Sequence, residues 1–397
     1  MWKRGVRGVS DAVAAGLRGL PGTSRVIGAP RGLYATLEQW AAKEAGRGKN
    51  DYIALAPARP EERPVPVIAD APIRALFERM TVGQVKPQAV AVLEGGRYWG
   101  RGFGYIISRE DALVCRLSPE FTGFGALDNP PARHDGRRAW KLPRVKKFRG
   151  RLLALNTLFC SNFHHWLLDT VPKFELLRRA GLNWKELDGV VFDYRDNRWQ
   201  NEVLEILGVP REKIVRSTAG THLEADELIV PIYGEPGGCP EKYSYSPEGT
   251  AFVRELLAPA PPPQARRRIL LSRKQAGARR LHAEDAVLEA LKPLGFEAHC
   301  MENYTLREQA ALFAGANAVV MPHGGGLANC VFLPRGAAVV ELFDPSYLPT
   351  FMMPLAARMG LRYAALVGAA GTPEQAAAQE IIVEPERVIE SLKELGI

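Results

Sequence analysis

Met321 to Phe332 reads MPHGGGLANCVF: His323 and three glycines, Gly324, Gly325 and Gly326, directly after the apolar run Asn317–Met321 and before a short helical pattern. Residues of these types in this order serve three purposes. Glycine lets the backbone approach a ligand closely, and the free N–H groups at a helix N-terminus favour an anion, so the segment suits a phosphate. The same kind of loop can present N–H groups to an acyl oxyanion, but the esterases that do this also need a downstream GxSxG nucleophile elbow, and the chain has none. The third purpose is a turn that only packs a helix onto a sheet.

A second stretch, LLSRKQAGARRLHAED from Leu270 to Asp285, supplies Arg273, Lys274, Arg279 and Arg280. Guanidinium groups are permanently charged planar forks that match a diphosphate. Such a run is otherwise a solvated loop. A third stretch, NFHHWLLD, sets His165 and Asp169 four residues apart, one helical turn, so the two share a face. An imidazole held by a carboxylate works as a general base near neutral pH, and the same pair also serves as a helix histidine satisfied by its neighbour. Asn162 reads as the N-cap of that helix. Glu341, at the end of an apolar run, is placed to accept hydrogen bonds from ribose hydroxyls.

The elements that must position these groups follow from periodicity. From Arg268 onward, short apolar strands alternate with amphipathic helices, the pattern of parallel βαβ units in a doubly wound sheet, with both the glycine loop and Arg273 at carboxyl ends of strands. Strands are expected at RILLSR, FEAHC, NAVVMP, AAVVELF and RYAALV. The first half is less regular. Residues 88–116 are glycine-rich and hairpin-like, which brings antiparallel strands into that half, and an α/β rhythm resumes from Arg151. The proline cluster in APAPPPQARRR cannot continue a helix and reads as a linker. The expected organisation is a leader over residues 1–50, an α/β domain over 51–258, a linker over 259–266 and a Rossmann-like domain over 267–397.

Bulk properties narrow the function. A chain of 397 residues suits two domains, and 46% hydrophobic with 24% charged residues is ordinary for a globular protein. A net charge of +8 attracts anions without choosing among them. No arginine-rich tail and no aromatic RNA-binding pattern is present, so nucleic acid is not an expected partner. The five cysteines are odd in number and lack a CxxC pair, which points to a reducing, cytoplasmic setting. Trp2, Val6, Val9, Val13, Leu17 and Leu20 fall at helical spacing beside Lys3, Arg4, Arg7 and Arg18, the pattern of a helix lying on anionic lipid, so peripheral membrane contact through residues 1–20 is expected. No DxD motif of the kind that holds a divalent ion beside a diphosphate is present, DYRD and EADE having the wrong spacing, so no metal ligands are expected.

Three blocks, NFHHWLLDTVPKFELL, LLSRKQAGARRLHAED and REQAALFAGANAVVMPHGGGLANCVFLPRGAAVVELF, resemble in order and spacing those of glycosyltransferase family 61. The resemblance runs from about Leu152 to Phe343. It implies a GT-B fold, two Rossmann-like domains facing across a cleft. It also implies a nucleotide-sugar donor, inversion at the anomeric carbon, and no metal or other cofactor. The resemblance puts donor contacts on Arg273, Arg279, Arg280, His323 and Gly324, with Glu284 and Asn329 completing their motifs, and puts the family's histidine before Trp on His165. Ala283 stands where an Asn is usual and Gly325 where an Ala is usual. The family includes bacterial members of surface polysaccharide synthesis, so a glycan or lipid-linked acceptor is expected. The alternative is a GT-B protein that binds nucleotide without transferring sugar.

Overall fold

The computed structural model describes residues 30–121, 130–137, 142–233, 244–260, 264 and 266–397. Among them the chain is mixed α/β, built on two large sheets. The ten-stranded first sheet runs in the order Gly32–Tyr34, Ala112–Val114, Tyr105–Ile107, Arg97–Trp99, His222–Tyr233, Lys146–Ala154, Gly189–Phe192 and Ile214–Arg216. Gln88–Glu94 pairs further along His222–Tyr233 and carries Asp51–Ala56 on its other edge. The last three strands of the order continue parallel from His222–Tyr233, and the hairpin strands of residues 88–114 are antiparallel, as their glycine-rich pattern predicts.

The twelve-residue strand His222–Tyr233, central to this sheet, carries no strand signal in the sequence. Glu224, Asp226 and Glu227 break its apolar run, and Pro231 ordinarily marks an edge. It is central because its apolar residues Leu228, Ile229 and Val230 are buried on both faces, while the carboxylates stay in its first half, Glu224 and Glu227 half-buried and Asp226 exposed.

The second sheet is wholly parallel, ordered Phe296–Cys300, Arg267–Ser272, Ala316–Pro322, Ala338–Phe343, Arg362–Val367 and Ile68–Ala69. Its near-continuous Val, Leu and Ala runs are what a sheet covered on both faces requires. Each expected strand of this half is present within a residue or two. The helix Leu306–Ala314 begins with a capping box, Thr305 with Glu308, and Glu284–Leu291 and Met352–Met359 follow neighbouring strands.

Two expected boundaries are corrected. Residues 1–50 are not all leader: Gly32–Tyr34 pairs with Ala112–Val114, and Leu37–Glu44 buries Trp40 completely. The amphipathic segment of residues 1–20 lies outside the described residues, as does much of the expected linker. Nor is 51–258 one spatial unit, because Ile68–Ala69 is the edge strand of the second sheet and Ala71–Glu78 packs Ile73 and Phe77 into its core. The stretches that carry the chain out and back, Arg59–Glu62 and Val82–Val85, pair with each other as an antiparallel ribbon. A strand of two residues is too short to leave a signal of its own in the sequence. No helix among the described residues is long and apolar enough to cross a membrane.

Candidate functional site

The glycine loop leaves the strand Ala316–Pro322, and Gly325–Phe332 continues as a 3-10 helix rather than an α-helix. Each glycine has a different neighbour. A Cβ on Gly324 would lie 2.1 Å from Arg273 Nη1, so glycine is what lets that guanidinium lie on the loop. A Cβ on Gly326 would meet Leu271 Cδ1 at 2.8 Å, a packing constraint. At Gly325 the nearest atom is Phe163 Cβ at 3.7 Å, ordinary contact, so a methyl group would fit there.

Arg273, Arg279 and His323 come together. Arg273 is aimed by its own loop: Nε donates to Arg279 O at 3.1 Å and Nη2 to Ala278 O at 3.0 Å, while its backbone N–H donates to the buried Glu284 carboxylate at 3.3 Å. These bonds leave Nη1 over Gly324. Arg279 takes a left-handed conformation, φ 57°, and lays its guanidinium 5.1 Å from the Tyr347 ring centre. The His323 ring meets the same Tyr347 edge-on at 5.6 Å and stacks on Phe343 at 5.3 Å. Burial, then Arg279 and Arg273, hold the His323 imidazole well below its ordinary value, so it is neutral at pH 7.

Glu341 is corrected from the ribose reading. It is fully buried, with Oε1 2.6 Å from His323 Nδ1 and Oε2 accepting from the Tyr363 hydroxyl at 2.5 Å, so it orients His323 from behind. Burial pushes its carboxyl up to about 8, against the Tyr363 hydrogen bond, which lowers it. Asn329 is also fully buried and donates to Gln309 Oε1 at 2.9 Å, tying the loop to the helix Leu306–Ala314 rather than facing a ligand. Arg280 is not in the cluster: it is exposed and faces Glu380 at 3.5 Å, on the far side of the left-handed turn at Arg279. Lys274 pairs with Asp285 at the surface.

The helical segment of residues 163–179 brings the second set. Asn162 caps it, accepting from His164 N at 2.9 Å, as expected. Trp166–Thr170 forms a π turn, closed by Val171 N–H to Trp166 O at 2.9 Å, with the Thr170 hydroxyl donating to the His165 carbonyl at 3.1 Å. Such turns often mark functional sites. His165 Nδ1 is 2.7 Å from Asp169 Oδ2, the pairing that their spacing predicts. The neighbouring His164 is buried against the Tyr245 hydroxyl at 2.8 Å, and burial pushes its imidazole down to about 3, which makes it scaffolding. His164 lies between His165 and His323 in the electrostatics of the site, and Phe351 packs against both His164 and His165. The two sheets thus contribute their charged edges to one region.

Asp169 also lines a cavity of about 140 Å³ whose walls include Lys173, Arg116, Lys86, Asn156 and Tyr245. Sequence reasoning missed this cavity. The signal was present in Lys173, four residues beyond Asp169 as Asp169 is beyond His165. Among the described residues no group of three His, Cys, Asp or Glu side chains is arranged to hold a metal ion.

Residues 163–340 match the family described as Glycosyltransferase 61. That span includes His165, Asp169, Arg273, Arg279 and the glycine loop. No curated protein matches the chain.

Proposed function

We propose, from the premise that residues 163–340 belong to glycosyltransferase family 61, that this glycosyltransferase moves a sugar from a nucleotide-sugar donor, UDP-linked, with inversion and without a metal ion. The single observation that carries the donor side is the gathering of Arg273, over Gly324, and Arg279, over the Tyr347 ring that His323 also meets, around one imidazole. Two guanidinium groups fixed in advance, one of them aimed by its own loop carbonyls, stabilise a leaving diphosphate without reorganising as its charge develops. The two sheets would be the two lobes of a GT-B arrangement.

His165 is the base in this reading. With Nδ1 paired to Asp169, Nε2 is the nitrogen assigned to take the acceptor's proton. The acceptor hydroxyl gives its proton to Nε2, its oxygen bonds to the anomeric carbon from the face opposite the donor phosphate, and the carbon–oxygen bond to the diphosphate breaks. The leaving electron pair is held by Arg273 and Arg279. The acceptor is a glycan or lipid-linked sugar of surface polysaccharide assembly, met at the cytoplasmic face of a membrane.

Incubation of the purified protein with a panel of nucleotide sugars and glycan acceptors, reading nucleoside diphosphate release and anomeric configuration, tests this. Release with inverted product, undiminished by a chelator, is expected. Activity abolished by chelation and restored by manganese would overturn the metal-free mechanism.

A further inference from the structure

The cavity beside Asp169 has a composition that sugar hydroxyls alone do not call for. Among the described residues its walls carry three cationic side chains, Lys86, Arg116 and Lys173, and one carboxylate, Asp169, which is engaged by His165. Lys173 is the telling one. Its side chain is only 7% exposed, and its Nζ donates to a neutral acceptor, Asn156 O, at 2.9 Å. No carboxylate among the described residues forms an ion pair with it. A buried ammonium left to a carbonyl is costly, and proteins retain such a charge where something must pair with it. The cavity's 140 Å³ is several times the share of one water molecule.

We propose that this cavity seats an anionic group of the acceptor, a sugar carboxylate or a phosphate, with Lys173 as its innermost contact and Arg116 and Lys86 at its rim. The inference rests on the transferase reading, since it is Asp169, bonded to the base, that joins the cavity to the reacting centre. Asp169 and Lys173 are four residues apart, roughly 6 Å along a helix axis. The charge therefore belongs to the reacting sugar or to the sugar next to it, and a neutral acceptor would leave Lys173 unpaired.

The test uses the full chain and four probes at millimolar concentration: glucuronate, glucose 6-phosphate, glucose and inorganic phosphate. The readout is the rise in apparent thermal stability that a ligand of the native state produces. Glucuronate or glucose 6-phosphate is expected to give a saturable rise, the stronger of the two identifying carboxylate or phosphate, and glucose none. Binding should weaken at least about tenfold in Lys173→Met, the cost of a lost charged hydrogen bond, and persist in Arg273→Ala, which alters the donor cluster instead. Arg116→Gln, on a half-buried residue, provides the same comparison if Lys173→Met does not fold. No rise with either sugar anion, an equal rise with glucose or inorganic phosphate, or undiminished binding in Lys173→Met would overturn the proposal. The two readings fail separately: anion binding without any nucleoside diphosphate release removes the transferase, whereas release without anion binding removes only this seat.

Discussion

In the proposed mechanism His165 and Arg273 divide the chemistry between them, and substitutions should separate their roles. His165→Ala is expected to leave the affinity for a nucleoside diphosphate unchanged while turnover falls by about 10²-fold or more, as loss of a general base requires. Arg273→Ala should do the reverse in binding, weakening the nucleoside diphosphate by roughly tenfold to a hundredfold, the worth of a charged hydrogen bond. Calorimetric titration beside steady-state kinetics distinguishes the two. Lys173 makes a different prediction. Burial pushes its ammonium down to about 8 from 10.5. A lysine whose folded value is depressed contributes stability above its unfolded value and loses it as pH falls through the folded one, so at neutral pH the native state bears the whole cost. Lys173→Met should therefore be more stable at pH 7 by about 1–3 kcal/mol, with the gain shrinking as pH rises from about 8 toward about 10.5, in denaturant unfolding across that range. At this scale the sequence was most legible where spacing sets contact: His165 with Asp169 follows from one helical turn. Glu341 was illegible because a carboxylate at a strand end looks the same whether it faces solvent or, as here, a buried His323 and Tyr363.

The glycine loop and the helix start at Glu284 are the elements on which the site depends. Gly324→Ala puts a methyl group where Arg273 Nη1 lies and should weaken diphosphate binding about as much as losing the arginine does, whereas Gly325→Ala should be neutral within twofold. A titration of both variants decides it: equal effects would mean that the guanidinium does not need the space left at Gly324. At residue 283 the chain takes φ 50° and ψ 41°, without a side-chain cap on the helix that follows. Asparagine tolerates that conformation better than alanine and offers the missing acceptor, so Ala283→Asn is expected to raise stability by about 0.5–1 kcal/mol in thermal unfolding. The parallel strands of the second sheet were readable because burial on both faces leaves continuous apolar runs. Gly325–Phe332 was readable as helical but not as 3-10, since the apolar pattern of eight residues does not distinguish the two hydrogen-bond spacings.

The whole molecule is less divisible than its composition suggests. One apolar core includes Trp166 and Phe192 from the first half with Phe313, Val331 and Phe343 from the second. Asp70, from the first half of the chain, accepts hydrogen bonds from Val367 N at 2.7 Å and Arg387 Nη2 at 2.6 Å. Heating should give a single calorimetric transition, and a fragment of residues 267–397 made alone should fail to fold unless residues 68–78 are supplied. Two separate transitions would refute that. The proline cluster suggests a linker at 259–266 from the sequence alone, whereas the excursion through Ile68–Ala69 left no mark, because a pairing between residues nearly three hundred positions apart has no local signature. That excursion has a mechanical consequence. The backbone passes between the halves three times, and two of those passes are stitched together as a ribbon. A protease site engineered into 259–266 should therefore cut the polypeptide yet leave both pieces together on a sizing column, and any movement of one sheet against the other must twist a braced strap instead of swinging on one loose tether.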